Sequence, residues 1–161
     1  DITDPGGIVA SQVIQNADHT LRIILNASQS ERTLSSRFLS DYFGSGVQHI
    51  AFDTTDIFST ATKMKINGVE VLSIPENYYD DLEARFGLSA DLLKNLQVGN
   101  ILYDRDDTGE YFQIYTQSFD NLFFFEIVER RGDYKGFGAP NAPIRLAAQS
   151  RQARHPAIPR L

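Results

Sequence analysis

Gly46-Val47-Gln48-His49-Ile50-Ala51-Phe52-Asp53 and Phe123-Phe124-Phe125-Glu126-Ile127-Val128-Glu129-Arg130-Arg131 are the two stretches that decide how this chain folds. Each opens as an apolar run broken by one histidine or one carboxylate, and aromatic and β-branched residues dominate both. Runs of this length and makeup read as strands of a largely buried sheet. Side chains alternate along a strand, so Val47, His49 and Ala51 share one face, with Gln48, Ile50 and Phe52 on the other. By the same period Phe124 shares the face of Glu126.

Reading outward from the first stretch, Thr55 or Asp56 caps a helix to about Asn67, closed by Gly68. Val69 to Ile74 reads as a strand. Pro75 opens a helical insert, Glu76 to Phe86, and Ser89 caps a further helix to Leu96. Three strands follow in hairpin succession: Asn100 to Asp104, Glu110 to Thr116, and Phe123 to Arg131, with turns at Asp106–Gly109 and at Asn121. Glycines 132, 136 and 138 then lead to a helix from about Pro140 to Arg151. Upstream, Ile8 to Gln15 and Leu21 to Asn26 form a hairpin around His19, after a turn at Asp4–Gly7. Ser30 is positioned to cap a helix from Glu31 to Tyr42.

The pattern is α+β: a β-α-β-β-β unit carrying an insert, preceded by the last two strands of a similar, incomplete unit. The divisions are residues 1–28, last strands of the preceding module; 29–45, a linking helix; 46–133, the complete module with its insert at 75–97; 134–153, a closing loop and helix; and 154–161, a loose tail.

Composition narrows the chemistry. The 161 residues contain no cysteine, which excludes disulfides, a thiolate nucleophile and thiolate metal sites. Only three histidines, His19, His49 and His155, are available to bind a transition metal alongside carboxylates. A net charge of -6 disfavours nucleic-acid partners. No apolar run approaches the ~20 residues of a bilayer span, and no signal peptide is visible, so the expected location is the cytoplasm. The opening at Asp1, without Met and within a loop, reads as a fragment or a processed piece.

Taken from the residues alone, His49 and Glu126 have two readings. One is a hydrogen-bonded core histidine and a carboxylate paired with an arginine such as Arg130. The other is a pair of metal ligands, in which a cation offsets the several kcal/mol that a buried carboxylate beside aromatic rings otherwise costs. Asp104, Asp106 and Asp107 lack the Gly and terminal Glu of a calcium loop and read as a solvated turn.

Four ordered blocks carry a resemblance: residues 46–52, Gln113-Ile114-Tyr115-Thr116, residues 123–133, and Gly136-Phe137-Gly138 followed by Asn141. Together they resemble the C-terminal metal-binding half of 4-hydroxyphenylpyruvate dioxygenases, of the vicinal-oxygen-chelate (glyoxalase) fold, from about Ile8 to Gln149. That fold pairs β-α-β-β-β modules in a curved mixed sheet closed by a C-terminal helix. Residues 74–82, 101–104 and 141–146 are similar, more narrowly, to a dioxygenase-like domain fused in bacteria behind a 3-dehydroshikimate dehydratase barrel.

The resemblance implies a non-haem Fe(II) site made by two His and one carboxylate, with positions left open for a 2-oxo acid and dioxygen; Mg, Mn, Co or Zn are expected substitutes. His49 and Glu126 match two of the three ligand positions. Neither His19 nor His155 matches the other, which belongs to the preceding module. Two cis ligands at bonds of about 2.1 Å place their ligand atoms roughly 3 to 4 Å apart.

The resemblance also implies active-site roles for Gln113 and Gln48, with satisfied buried amides as the alternative. It places Ser11, Asn26 and Phe124 along the substrate cavity, although Ser11 and Asn26 could equally cap turns, and it brings Arg145 into the closing helix, where it meets a substrate carboxylate or lies on the surface. Two departures stand out. Ala142 replaces the phenylalanine that covers the substrate in the family, and Leu34 replaces a cavity glutamine. The implied protein is a dioxygenase-like metalloenzyme domain acting on a small organic acid. It adjoins an upstream domain of the same chain that carries the dehydratase activity, and it forms a homo-oligomer. The alternatives are a non-catalytic binding or structural domain, and a glyoxalase-like isomerase or antibiotic-resistance binding protein.

Overall fold

A computed structural model describes residues 2–4, 6–120 and 122–154, with side chains given to residue 152. The expected turns at Pro5 and Asn121, and His155 in the tail, lie outside the described residues. The chain divides into two units, Asp1–Gly46 and Val47–Leu161.

The first unit is a three-stranded antiparallel sheet, β1 (Ile2–Asp4), β2 (Gly7–Gln15) and β3 (Arg22–Ser28), followed by helix α1 (Leu34–Asp41). It holds one strand more than the two expected. The short β1 pairs with the start of β2, and the Asp4 carboxylate accepts the backbone N–H groups of Gly6 (2.7 Å) and Leu34 (3.1 Å). Helix α1 begins after Thr33, whose hydroxyl accepts the Ser36 N–H, and not after Ser30. The Ser30 hydroxyl is engaged elsewhere, donating to the Gly6 carbonyl at 2.8 Å.

The second unit begins with β4 (His49–Asp53) and α2 (Ile57–Ile66), continues through the insert helices α3 (Glu76–Phe86) and α4 (Ala90–Val98), and adds β5 (Leu102–Arg105), β6 (Gly109–Tyr115) and β7 (Phe124–Gly132). After a 3-10 turn at Ala139–Asn141 comes α5 (Ala142–Arg154). The sheet order is β4-β7-β6-β5; only β4 with β7 is parallel. Asp56 caps α2 as its sequence suggests, and the buried Glu129 carboxylate adds a second acceptor for that helix terminus, taking the Ile57 N–H at 2.8 Å.

Val69 to Ile74 does not form the expected strand. A single bridge joins Val71 to Thr116, and pairing stops there because the Ile74 N–H goes to the Asn100 side chain at 2.9 Å. Pro75, with no N–H to offer, then starts α3. The core of this unit packs Ile57, Leu82, Leu96, Phe112 and Ile114 with no exposed surface. Among the described residues, no helix is long and apolar enough to cross a membrane.

Candidate metal centre

The register of the sheet brings the two candidate ligands together. His49 pairs with Phe124 and Ala51 with Glu126 across the parallel β4–β7 ladder, so His49, Phe124 and Glu126 point to one face. His49 Nε2 lies 3.5 Å from Glu126 Oε2, within the span of two cis ligands of one ion. The His49 ring stacks on Phe124 with centroids 4.9 Å apart and planes 4° from parallel. Burial, helped by the Arg145 charge, pushes the His49 pKa down to about 4, so the imidazole is neutral at pH 7 with a lone pair to offer. Burial pushes the Glu126 pKa up, against the donors that surround it.

Gln113 is the main one of those donors. Strand β6 pairs Tyr115 with Glu126, placing Gln113 and Tyr115 on the same face. Gln113 Nε2 donates to Glu126 Oε1 at 2.9 Å and to the Tyr115 hydroxyl at 2.7 Å, while its Oε1 accepts from Asn141 Nδ2 at 2.9 Å. The amide is therefore satisfied within the protein, and it braces the carboxylate. With Oε1 of Glu126 held by Gln113, Oε2 is the atom turned to His49.

Arg145 is not a bystander on the surface. It is half-buried, its guanidinium 5.4 Å from the Tyr115 ring centroid and 5.6 Å from that of Phe124, and it donates to Gln149 at 2.8 Å. Arg130, the other candidate partner for Glu126, instead lies over the Tyr111 ring at 4.5 Å and 4.0 Å from Asp53.

Most of the remaining sequence candidates have partners within their own unit. Gln48 is half-buried, and its carbonyl accepts the Phe124 N–H at 3.1 Å. Ser11 and Asn26 face each other across β2 and β3 in the first unit, joined by a 2.6 Å hydrogen bond. His19 sits in the exposed β2–β3 turn. Asp106 accepts from Thr108 and Gly109 as a turn residue, and Asp104 accepts from the Tyr134 hydroxyl at 2.6 Å. A cavity of about 320 Å³ in the second unit, lined by Leu72, Ser73, Pro75, Gln117, Ala148, Arg151 and Gln152, includes none of the candidate residues.

An imidazole and a carboxylate at 3.5 Å, both largely buried, fit one edge of a divalent-metal site. Among the described residues, no group of three His, Asp, Glu or Cys side chains completes it. Tyr115, Asn141 and Tyr78, which complete the hydrogen bonding around Glu126, were not singled out by sequence for this role. For Tyr115 the signal was present in its two-residue spacing from Gln113.

The chain is similar to known proteins over most of its length. A family model described as the glyoxalase/bleomycin resistance protein/dioxygenase superfamily matches residues 1–114. A 3-dehydroshikimate dehydratase of Pseudomonas aeruginosa is 47% identical over 154 residues, covering 95% of this chain and 24% of that protein. A 4-hydroxyphenylpyruvate dioxygenase of the same organism is 37% identical over 123 residues, covering 75% of this chain and 34% of that protein. Among solved structures, a xylose isomerase-like TIM barrel/4-hydroxyphenylpyruvate dioxygenase fusion protein superposes with a TM-score of 0.76 at 48% identity, over 87% of this chain and 23% of the other. A mutant of 4-hydroxymandelate synthase from Streptomyces coelicolor superposes with a TM-score of 0.83 at 31% identity, over 94% and 44%. The chain spans about a quarter of the dehydratase and a third of the dioxygenase.

Proposed function

The chain belongs to the glyoxalase/bleomycin resistance protein/dioxygenase superfamily, and on that premise we propose that it is a metal-dependent, 4-hydroxyphenylpyruvate-dioxygenase-like domain acting on a 2-oxo acid. In this reading it is the C-terminal part of a larger cytoplasmic, homo-oligomeric bacterial enzyme whose upstream domain carries 3-dehydroshikimate dehydratase activity. The observation that carries the proposal is the 3.5 Å approach of His49 Nε2 to Glu126 Oε2 on one buried sheet face.

Bound there, Fe(II) would supply a Lewis-acid centre able to chelate a 2-oxo acid and engage dioxygen. His49 offers a neutral imidazole nitrogen, because burial holds its pKa at about 4. Glu126 offers Oε2 while Gln113 holds Oε1. Phe124 fixes the imidazole plane by stacking, and the family resemblance alone assigns it to the substrate cavity. Arg145, a half-buried cation on the same face, receives a substrate carboxylate, the planar fork of guanidinium matching that group. Gln48, Ser11 and Asn26 are assigned to the substrate cavity on the family resemblance alone.

A second reading, a non-catalytic binding domain of the same fold, draws on two observations: no third metal ligand occurs among the described residues, and Gln113 is fully engaged. The two readings separate in the full-length protein. Metal analysis and oxygen uptake with a panel of 2-oxo acids should show about one metal per chain and acid-dependent oxygen consumption. A protein that takes up no Fe(II), Co(II) or Zn(II) would end the metalloenzyme reading.

A further inference from the structure

The Glu126 carboxylate stands at the end of a buried chain of hydrogen bonds that begins in the inserted helix α3. The Tyr103 backbone N–H donates to the Tyr78 hydroxyl at 2.8 Å. The Tyr78 hydroxyl donates to Asn141 Oδ1 at 2.9 Å, with the Tyr103 carbonyl a more distant second acceptor at 3.1 Å. Asn141 Nδ2 donates to Gln113 Oε1, and Gln113 Nε2 donates to Glu126 Oε1, both at 2.9 Å. Tyr78, Asn141, Gln113 and Glu126 are 3%, 1%, 2% and 6% exposed, so water cannot stand in for any member.

Direction is what this chain transmits. A backbone N–H can only donate, so Tyr78 accepts from Tyr103 and its single proton is available to Asn141. That proton selects the oxygen end of the Asn141 amide, which turns the NH2 toward Gln113. The NH2 in turn selects the oxygen end of Gln113, which leaves the Gln113 NH2 for Glu126. Each amide has one orientation that satisfies both neighbours, and an amide reversed at either position would set two acceptors or two donors against each other in a dry site.

We propose that Tyr78 is a positioning residue for the Glu126 carboxylate, acting through Asn141 and Gln113 and so tying the helical insert to the metal centre. The inference rests on the proposed metal site for one of its two readouts; the other is independent of metal. Groups that orient a ligand from behind in this way change metal affinity by roughly 10- to 100-fold when removed. Tyr79, next in the same helix, provides an internal control. Its hydroxyl is equally buried and has no partner among the described residues, and its ring packs in the same core.

The test uses the full-length protein with Tyr78→Phe, Asn141→Asp and Tyr79→Phe. Asn141→Asp keeps the shape and the Tyr78 contact but replaces the donor that faces Gln113 with an acceptor. Two quantities are read below the unfolding temperature: Co(II) affinity by titration, and the Gln113 side-chain NH2 resonances of the metal-free protein. Tyr78→Phe and Asn141→Asp are each expected to shift the Gln113 resonances and weaken Co(II) binding by about ten-fold or more. Tyr79→Phe should leave both unchanged. If the wild type binds no Co(II), the metal reading fails and the resonances alone decide. Gln113 resonances unmoved in Tyr78→Phe and Asn141→Asp would overturn the proposal, as would equal effects of Tyr78→Phe and Tyr79→Phe. Should Tyr78→Phe fail to fold, Asn141→Asp compared with Tyr79→Phe decides the matter by the same two readouts.

Discussion

Phe124 lies flat against His49, the two rings 4° from parallel with their centroids 4.9 Å apart. They are direct neighbours across the β4–β7 ladder. Phe124→Leu should keep most of the apolar volume and remove the stack. We expect a loss of about 1 kcal/mol in chemical denaturation, the size of an aromatic pair beyond its burial, together with averaged His49 ring resonances. A rigid His49 in Phe124→Leu would show that the backbone alone orients it.

Acid should weaken the fold through His49. Its folded pKa of about 4 lies below the ordinary value of 6.5, so the unfolded chain takes up the proton first. Stability from this group is intact above pH 6.5 and is lost as pH falls through the window down to about 4. The whole effect is on the order of 3 kcal/mol, from about 2.5 pH units at about 1.4 kcal/mol each. His49→Gln should flatten the stability curve across that window. Wild-type and variant curves that stay parallel throughout it would refute this.

Gly138 has φ +62°, and a Cβ there would fall on the Gln113 side-chain oxygen. Gly138→Ala must therefore strain the backbone and displace an amide that Asn141 and Glu126 both need. A destabilisation of about 2 kcal/mol or more is expected by urea unfolding. A neutral substitution would mean that Gln113 has a second acceptable position.

Helix α5 should open before the sheet does. It meets the ligand-bearing face through Arg145, after a 3-10 turn entered from a left-handed glycine. Amide exchange in Ala142–Arg154 is expected to outpace that of β7, as an element with sub-global opening requires. Equal protection in both would make α5 a fixed part of the fold.

The chain alone should not convert 4-hydroxyphenylpyruvate, even with Fe(II) and ascorbate. Two protein ligands hold an ion far more weakly than three. Independently, Ala142 provides no ring to cover an aromatic substrate, and mispositioning alone can cost ~100-fold in rate. Oxygen consumption near ~1 per second, an ordinary enzyme rate, would overturn both arguments.

Much of this was legible in the sequence. Strand alternation alone placed His49 with Ala51 and Phe124 with Glu126, and Asp56, Gly68 and Ser89 marked helix ends where the structure has them. The Ser30 cap and the Val69–Ile74 strand were misread because competing partners, Gly6 and Asn100, come from 24 and 26 residues away. The role of Asn141 was hidden for the same reason. It depends on Tyr78 and Gln113, and no local pattern reports a hydrogen bond between three distant segments.

The parallel pairing of β4 with β7 also bears on the order of assembly. Hairpins β5–β6 and β6–β7 close over short turns, whereas β4 must wait for its partner across three helices and two other strands. The loop entropy of that closure is lost before any ladder contact forms. His49 and Glu126 thus sit on the ladder that joins the most distant strands of this sheet in sequence, and an ion spanning them would act as a clasp on that long-range closure.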